Sequence, residues 1–169
     1  MTNVQCSICR NNQAIVFEGI SLNLYRCGAC GHVFKDISKE EQEQYNEDYF
    51  SKVIKNWLDY PDYQLFEFIH KEILRLKGDK LLQVLDIGCG KGIFLKYLKK
   101  KNYRLELYGI DLTDNQYKGI HFIKGDILKD ELGIKFDIIC SVAVVEHIDD
   151  PRQFIKKINS LLLPDGIAF

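Results

Sequence analysis

The sequence predicts an α/β fold with a small four-cysteine module in front of it, and three observations carry that expectation. In the stretch Leu81–Lys101, LLQVLDIGCGKGIFLKYLKKK, an apolar run, a glycine-rich turn and an amphipathic run follow one another. Further short apolar runs come after it at Leu105–Ile110, Ile120–Lys124 and Phe136–Ser141, each ending at or beside a polar residue. Near the start, Cys6-x-x-Cys9 and Cys27-x-x-Cys30 are separated by 17 residues.

The central stretch sets the architecture. Leu81, Leu82, Val84 and Leu85 read as a strand buried on both faces, as in a parallel sheet. The strand ends at Asp86. Gly88, Gly90 and Gly92 then turn the chain into a helix carrying Ile93, Phe94, Leu95, Tyr97 and Leu98. Glycines let the backbone approach a ligand, and the N–H groups of a first helical turn favour an anionic group, so this is a nucleotide-type site. A dinucleotide fingerprint beginning at Gly88 would need glycine at position 93, where Ile93 stands. What is present is D-x-G-x-G-x-G, which resembles motif I of the class I S-adenosylmethionine (SAM)-dependent methyltransferases.

The rest of the chain fits around that stretch. Leu65, Phe66, Ile69, Ile73, Leu74 and Leu76 recur at helical spacing between Asp62 and Lys77, and Gly78 stops the helix. The second strand, Leu105–Ile110, ends at Asp111, 23 residues beyond Gly88. A carboxylate there can accept both hydroxyl hydrogens of a ribose. The third strand runs into Gly125-Asp126-Ile127. The fourth, Phe136–Ser141, continues into Glu146-His147-Ile148-Asp149-Asp150-Pro151, which resembles motif IV and the loop after it. Pro151 suits the first turn of a helix through Phe154, Ile155, Ile158, Leu161 and Leu162. The run LLLPDGIAF then resembles the L-x-P-G-G turn into a fifth strand over Gly166–Phe169, with Asp165 in place of the first glycine.

The resemblance implies a Rossmann-like class I methyltransferase fold over residues 62–169 and a set of roles. SAM is the implied cofactor and S-adenosylhomocysteine (SAH) its product. Asp86 and the turn through Gly88, Cys89, Gly90 and Gly92 would hold the amino-acid end, Asp111 the ribose, and Asp126 with Ile127 the adenine; Leu112 and Ser141 complete the cofactor-binding set. His147 would be either a general base or a cap on the loop before Pro151. Together with the ribbon, the resemblance is to enzymes that methylate sugars and other small metabolites. Two other readings are carried beside it: an RNA methyltransferase with a zinc recognition module, and a SAM-binding module without catalysis of its own.

The sequence departs from that family pattern twice. Eight residues separate Asp111 from Ile120, fewer than a crossover helix needs, so a turn is expected there. The fold normally has seven strands, whereas this sequence reaches Phe169 as the fifth begins; the expected sheet is incomplete at that end. Its exposed edge, bearing Ile167 and Phe169, would favour self-association.

The cysteine pairs have zinc-ribbon spacing, and Cys6, Cys9, Cys27 and Cys30 are the expected ligands of one structural zinc over residues 1–37. Four sulfur ligands leave no open position for chemistry. Ala14–Phe17 and Leu22–Tyr25 read as two strands joined near Glu18-Gly19, and His32 as a loop histidine rather than a substitute for Cys30. Cys89 and Cys140 are expected in the core. Residues 38–61, with Tyr45, Tyr49, Phe50, Trp57 and Tyr60, read as an aromatic bridge over the cofactor cleft.

Composition narrows the partners. The chain has 23 basic and 24 acidic residues, so nothing demands a polyanionic partner. Through residue 50 four basic residues face seven acidic ones, a net of −3 that argues against nucleic-acid binding by the ribbon. No apolar run approaches the roughly 20 residues that span a bilayer. The expected setting is cytoplasmic, where six cysteines argue for metal or core positions over disulfides, and the expected partner is a small-molecule methyl acceptor.

Overall fold

The computed structural model describes residues 4–12, 14–16, 24–35, 59–101 and 104–169. It divides into two compact units, one holding the ribbon (Met1–Lys55 and Asp149–Arg152) and one the main sheet (Asn56–Ile148 and Gln153–Phe169). The turn near Glu18-Gly19, Phe17, Leu22, and the bridge residues Tyr45, Tyr49, Phe50 and Trp57 lie outside the described residues. Tyr60, the last bridge aromatic, is described and is 82% exposed.

The first unit is a three-stranded antiparallel sheet: β1 (Ala14–Val16), β2 (Leu24–Cys27) and β3 (Val33–Lys35), with β2 in the middle. The sequence reading found two strands and placed the second two residues too early. β2 runs up to and includes Cys27, and the C-x-x-C turn that follows sends the chain back as β3, with Tyr25 opposite Phe34. The two C-x-x-C turns share one hydrogen-bond pattern. Arg10 N–H donates to Cys6 O and Gly31 N–H to Cys27 O, both at 2.9 Å; Cys6 N–H and Cys27 N–H reach Asn11 O and His32 O.

The second unit opens with α1 (Tyr63–Lys77). Asp62 caps it, its carboxylate accepting from Leu65 N–H at 2.9 Å, and Gly78, at φ 72°, ends it with its N–H on Leu74 O. Phe66, Ile69, His70 and Ile73 form its buried face. β4 (Leu82–Ile87), α2 (Ile93–Lys101), β5 (Leu105–Asp111), β6 (His121–Lys124), β7 (Phe136–Cys140), α3 (Pro151–Leu161) and β8 (Leu162–Ala168) follow. The five strands make one parallel sheet in the order β6-β5-β4-β7-β8. Val84, Leu85, Leu107, Ile110, Ile138 and Ile139 fill its centre at 0–1% exposure, as an apolar run covered on both faces requires.

Several boundaries moved, each for a packing reason. Leu81 is 71% exposed and lies before β4, which instead gains Asp86 and Ile87, since both pair with β5. Ile120 stands outside β6 in an isolated bridge with Tyr117, closing the turn that replaces a crossover helix. β8 begins at Leu162 rather than Gly166, because Leu162 pairs with Phe136 before an irregularity resets the register to Ile138–Ile167. Asp165, the departure from the family turn, pairs with Lys77 Nζ at 3.0 Å and so ties the end of α1 to β8. Cys140 is fully buried, as expected.

Candidate functional site

Strand order reverses between β4 and β7, and ligands of open α/β sheets sit at the carboxyl ends of the strands beside such a point. Asp86, Asp111 and Ser141 stand at or just beyond the ends of β4, β5 and β7.

The glycine turn is stitched to β5. Gly88 N–H and Cys89 N–H both donate to Ile110 O, at 2.8 and 3.2 Å, and Gly92 N–H to Cys89 O starts α2. Gly88 and Gly92 have φ of 69° and 68°, the left-handed region that side chains avoid, and each is roofed as well. A Cβ on Gly88 would lie 2.4 Å from Val144 Cγ2, and one on Gly92 2.6 Å from Phe122 Cζ. At Gly90 a Cβ would meet nothing within 4 Å, so the open side of the turn is there. Cys89 points inward, its Sγ over Gly109, and burial pushes its thiol far above the ordinary range.

Asp111 and Asp86 are the two acids of the site. Asp111 Oδ2 accepts Gly90 N–H at 2.8 Å, and Oδ1 accepts the N–H and hydroxyl of Thr113 at 2.9 and 2.7 Å. Asn115 Nδ2 donates to Gly90 O at 2.9 Å, so the Gly90 backbone is held on both sides. The same connection, with Ile120 and Phe122, lines an open depression of about 570 Å³. Asp86 is 5% exposed, and burial, with the Asp111 charge added, raises its carboxyl to about 8. A buried acid beside an anchored carboxylate suits a ligand bringing a cationic group and a diol.

The remaining expected residues divide. Gly125 N–H donates to Asp111 O at 2.9 Å, which brings the chain leading into Asp126 beside the end of β5. The Asp126 carboxylate also serves its own turn, accepting Leu128 N–H at 3.0 Å and pairing with Lys129 at 2.9 Å. The Ile127 side chain is buried in the core, and Leu112 is 63% exposed. Ser141 N–H donates to Phe169 O, while its Oγ is buried without a hydrogen-bond partner among the described residues. An orphaned hydroxyl at a strand end is what a ligand's polar group would satisfy. His147 is exposed on a one-turn helix, Val145–His147.

Sequence reasoning missed Thr113, Asn115, Phe122, Ala143 and Val144. Ala143 has φ 55°, unusual for a residue with a Cβ, and this bend precedes the Val144 that roofs Gly88. No motif marks these positions; the eight-residue connection was the one signal that residues 112–119 would act as a loop.

In the first unit, Cys6, Cys9, Cys27 and Cys30 present four sulfurs within 4.8 Å of one another. The Cys6–Cys30 and Cys9–Cys27 Sγ separations are 3.7 and 3.4 Å. A tetrahedron with zinc–sulfur bonds of about 2.3 Å has edges of about 3.8 Å, so the cluster could hold such an ion with small adjustment. Cys6 and Cys27 are buried, and Cys9 and Cys30 exposed. His32 stacks on Phe34 at 5.5 Å and stays out of the group.

Known proteins match this architecture. Over 105 residues the chain is 38% identical to a malonyl-[acyl-carrier protein] O-methyltransferase of Calditerrivibrio nitroreducens, covering 61% of this chain and 41% of that one. It is 27% identical over 110 residues to a mitochondrial ubiquinone biosynthesis O-methyltransferase of Dictyostelium discoideum, covering 52% and 34%. This chain thus spans less than half the length of these relatives. Among solved structures, a SAM-bound amino pentose methyltransferase from Micromonospora echinaspora superposes with a TM-score of 0.54 at 19% identity, covering 62% of this chain and 48% of that one, a likeness of fold. A family model described as a methyltransferase domain matches residues 61–169, the whole of the main sheet and its helices, and the chain belongs to that family.

Proposed function

We propose that the chain carries the cofactor half of a SAM-dependent methyltransferase acting on a small-molecule acceptor. One observation carries this: Asp86 and Asp111 stand at the ends of adjacent strands, joined through the Gly88–Gly92 turn, in a methyltransferase-family sheet. Bound SAM would supply a sulfonium methyl for in-line displacement by an acceptor nucleophile. The protein's part is positioning and exclusion of water. Asp111 would accept the ribose hydroxyls. Asp86 would face the cationic amino-acid end, with the N–H groups beginning α2 toward its carboxylate. Asp126 and the Ile127 N–H would meet the adenine, with Leu112 beside it and Ser141 Oγ available to the ligand. His147 is the candidate to take a proton from the acceptor.

The matched relatives are named for a malonyl group on a carrier protein, for ubiquinone biosynthesis and for an amino pentose. Their range supports a small organic acceptor, a sugar or related metabolite among them. Zinc in the four-cysteine cluster would be structural, since four sulfurs close its coordination. Thiols kept free for a metal fit a reducing cytoplasm. No helix among the described residues is long and apolar enough to cross a membrane.

Calorimetry with SAH tests the reading. Asp111→Ala should weaken binding by about 1.5–3 kcal/mol, the range for hydrogen bonds to a charged group. Unchanged affinity would reject the ribose assignment, and binding of NAD in place of SAH would reject the cofactor.

A further inference from the structure

Asp111 already accepts three hydrogen bonds: Gly90 N–H on Oδ2, and the N–H and hydroxyl of Thr113 on Oδ1. A carboxylate offers about four lone-pair sites, so roughly one is left. A ribose held through both hydroxyls needs two. One present donor therefore has to yield, and the three are not equally free to do so. Gly90 N–H belongs to the glycine turn, whose carbonyl on the other side is held by Asn115 at 2.9 Å. Thr113 N–H is backbone, closing a tight turn on Asp111. The Thr113 hydroxyl swings away by rotation of one side-chain torsion.

The local sequence explains why that hydroxyl is there. A threonine at the start of a helix turns its oxygen to the helix N–H groups. Between Asp111 and Ile120 no helix forms, so Thr113 has none to cap and donates back to the acid instead.

We propose that Thr113 is a positioning residue that sets the ribose affinity of the site: its hydroxyl competes with one ribose hydroxyl for Asp111 and must rotate away as the nucleoside binds. This rests on Asp111 being the ribose acceptor. Thr113 aligns the carboxylate through its N–H, which stays, and weakens the ligand through its hydroxyl, which leaves.

The test is SAH calorimetry on the zinc-loaded chain. Thr113→Val keeps the branched shape and removes the hydroxyl; it should bind SAH about 2- to 10-fold more tightly than wild type, less than the full worth of a hydrogen bond to a charged group because water takes the hydroxyl's place on the free carboxylate. Thr113→Ser keeps the hydroxyl and should match wild type. Thr113→Ala gives the same readout as valine if valine disturbs the turn. With the 3′-deoxy analogue of SAH the remaining lone pair suffices, so the gain should vanish. Equal or weaker SAH binding by both Val and Ala variants would overturn the proposal, as would a gain that persists with the deoxy analogue. Failure of the ribose assignment looks different: Asp111→Ala would then bind SAH as wild type does, or wild type would not bind it.

Discussion

The ring of Phe122, on β6, lies over Gly92, its tip 2.6 Å from where a Cβ on that glycine would stand. Gly92 also has φ 68°. Gly92→Ala should therefore combine a left-handed penalty of about 1–2 kcal/mol with an overpacking cost of about 1–3 kcal/mol. Gly90→Ala, at φ 50° but facing open space, should carry the first cost without the second. Urea unfolding of the two variants side by side would show it; equal destabilisation would mean that the ring moves aside freely.

Asp86 should make stability fall as pH rises. Its folded carboxyl titrates at about 8, against an ordinary value of 3.8, so between these limits the folded chain keeps a proton that the unfolded chain releases. The stabilisation is complete below about pH 4 and is lost as pH climbs to about 8, at up to about 1.4 kcal/mol per unit. Burial pushes the neighbouring Cys89 and Cys140 thiols upward, and the Asp86 charge adds to it once that acid ionises. Asp86→Asn should gain on wild type progressively from pH 5 to pH 8, with a slope of about one proton. Parallel pH–stability curves for the two proteins would show that the acid is already ionised in the fold.

Removing metal should unfold the ribbon unit and leave the main sheet. Three strands of three or four residues bury little, so ion binding would supply most of their folding energy. Elemental analysis should find one zinc per chain. Chelation should abolish near-ultraviolet signals from Tyr25 while the parallel sheet keeps its thermal transition, and Cys27→Ser should act like chelation. A chain that purifies without zinc and shows no change on chelation would contradict this.

β8 pairs with β7 on one side, and among the described residues no strand covers its other edge. Exposed edges invite pairing with another chain, although Pro164 removes one donor from this one. We expect the 169-residue chain to self-associate at micromolar concentration in analytical ultracentrifugation. A monomer that stays soluble and melts cooperatively would dismiss the idea.

Much of this protein was legible in the residue order because its signals are local. An apolar run, an acid and three alternating glycines specify a strand, its end and a tight entry into a helix, whatever surrounds them. Asp62 and Gly78 bound α1 through backbone hydrogen bonds formed within a few residues. The cysteine pairs declared a four-sulfur cluster because each C-x-x-C turn is closed by its own backbone. Even the missing crossover helix was a matter of counting eight residues. What the tertiary structure decided are the contacts between segments far apart in the chain. Val144 over Gly88, Phe122 over Gly92 and Lys77 on Asp165 depend on strand order and register, which no local pattern encodes. The same holds for Asp111: its carboxylate and place were readable, but that the Gly90 N–H already occupies one of its oxygens followed from folding β5 beside β4. Sequence determines which groups a segment offers; the distances that decide whether they compete exist once the sheet has formed.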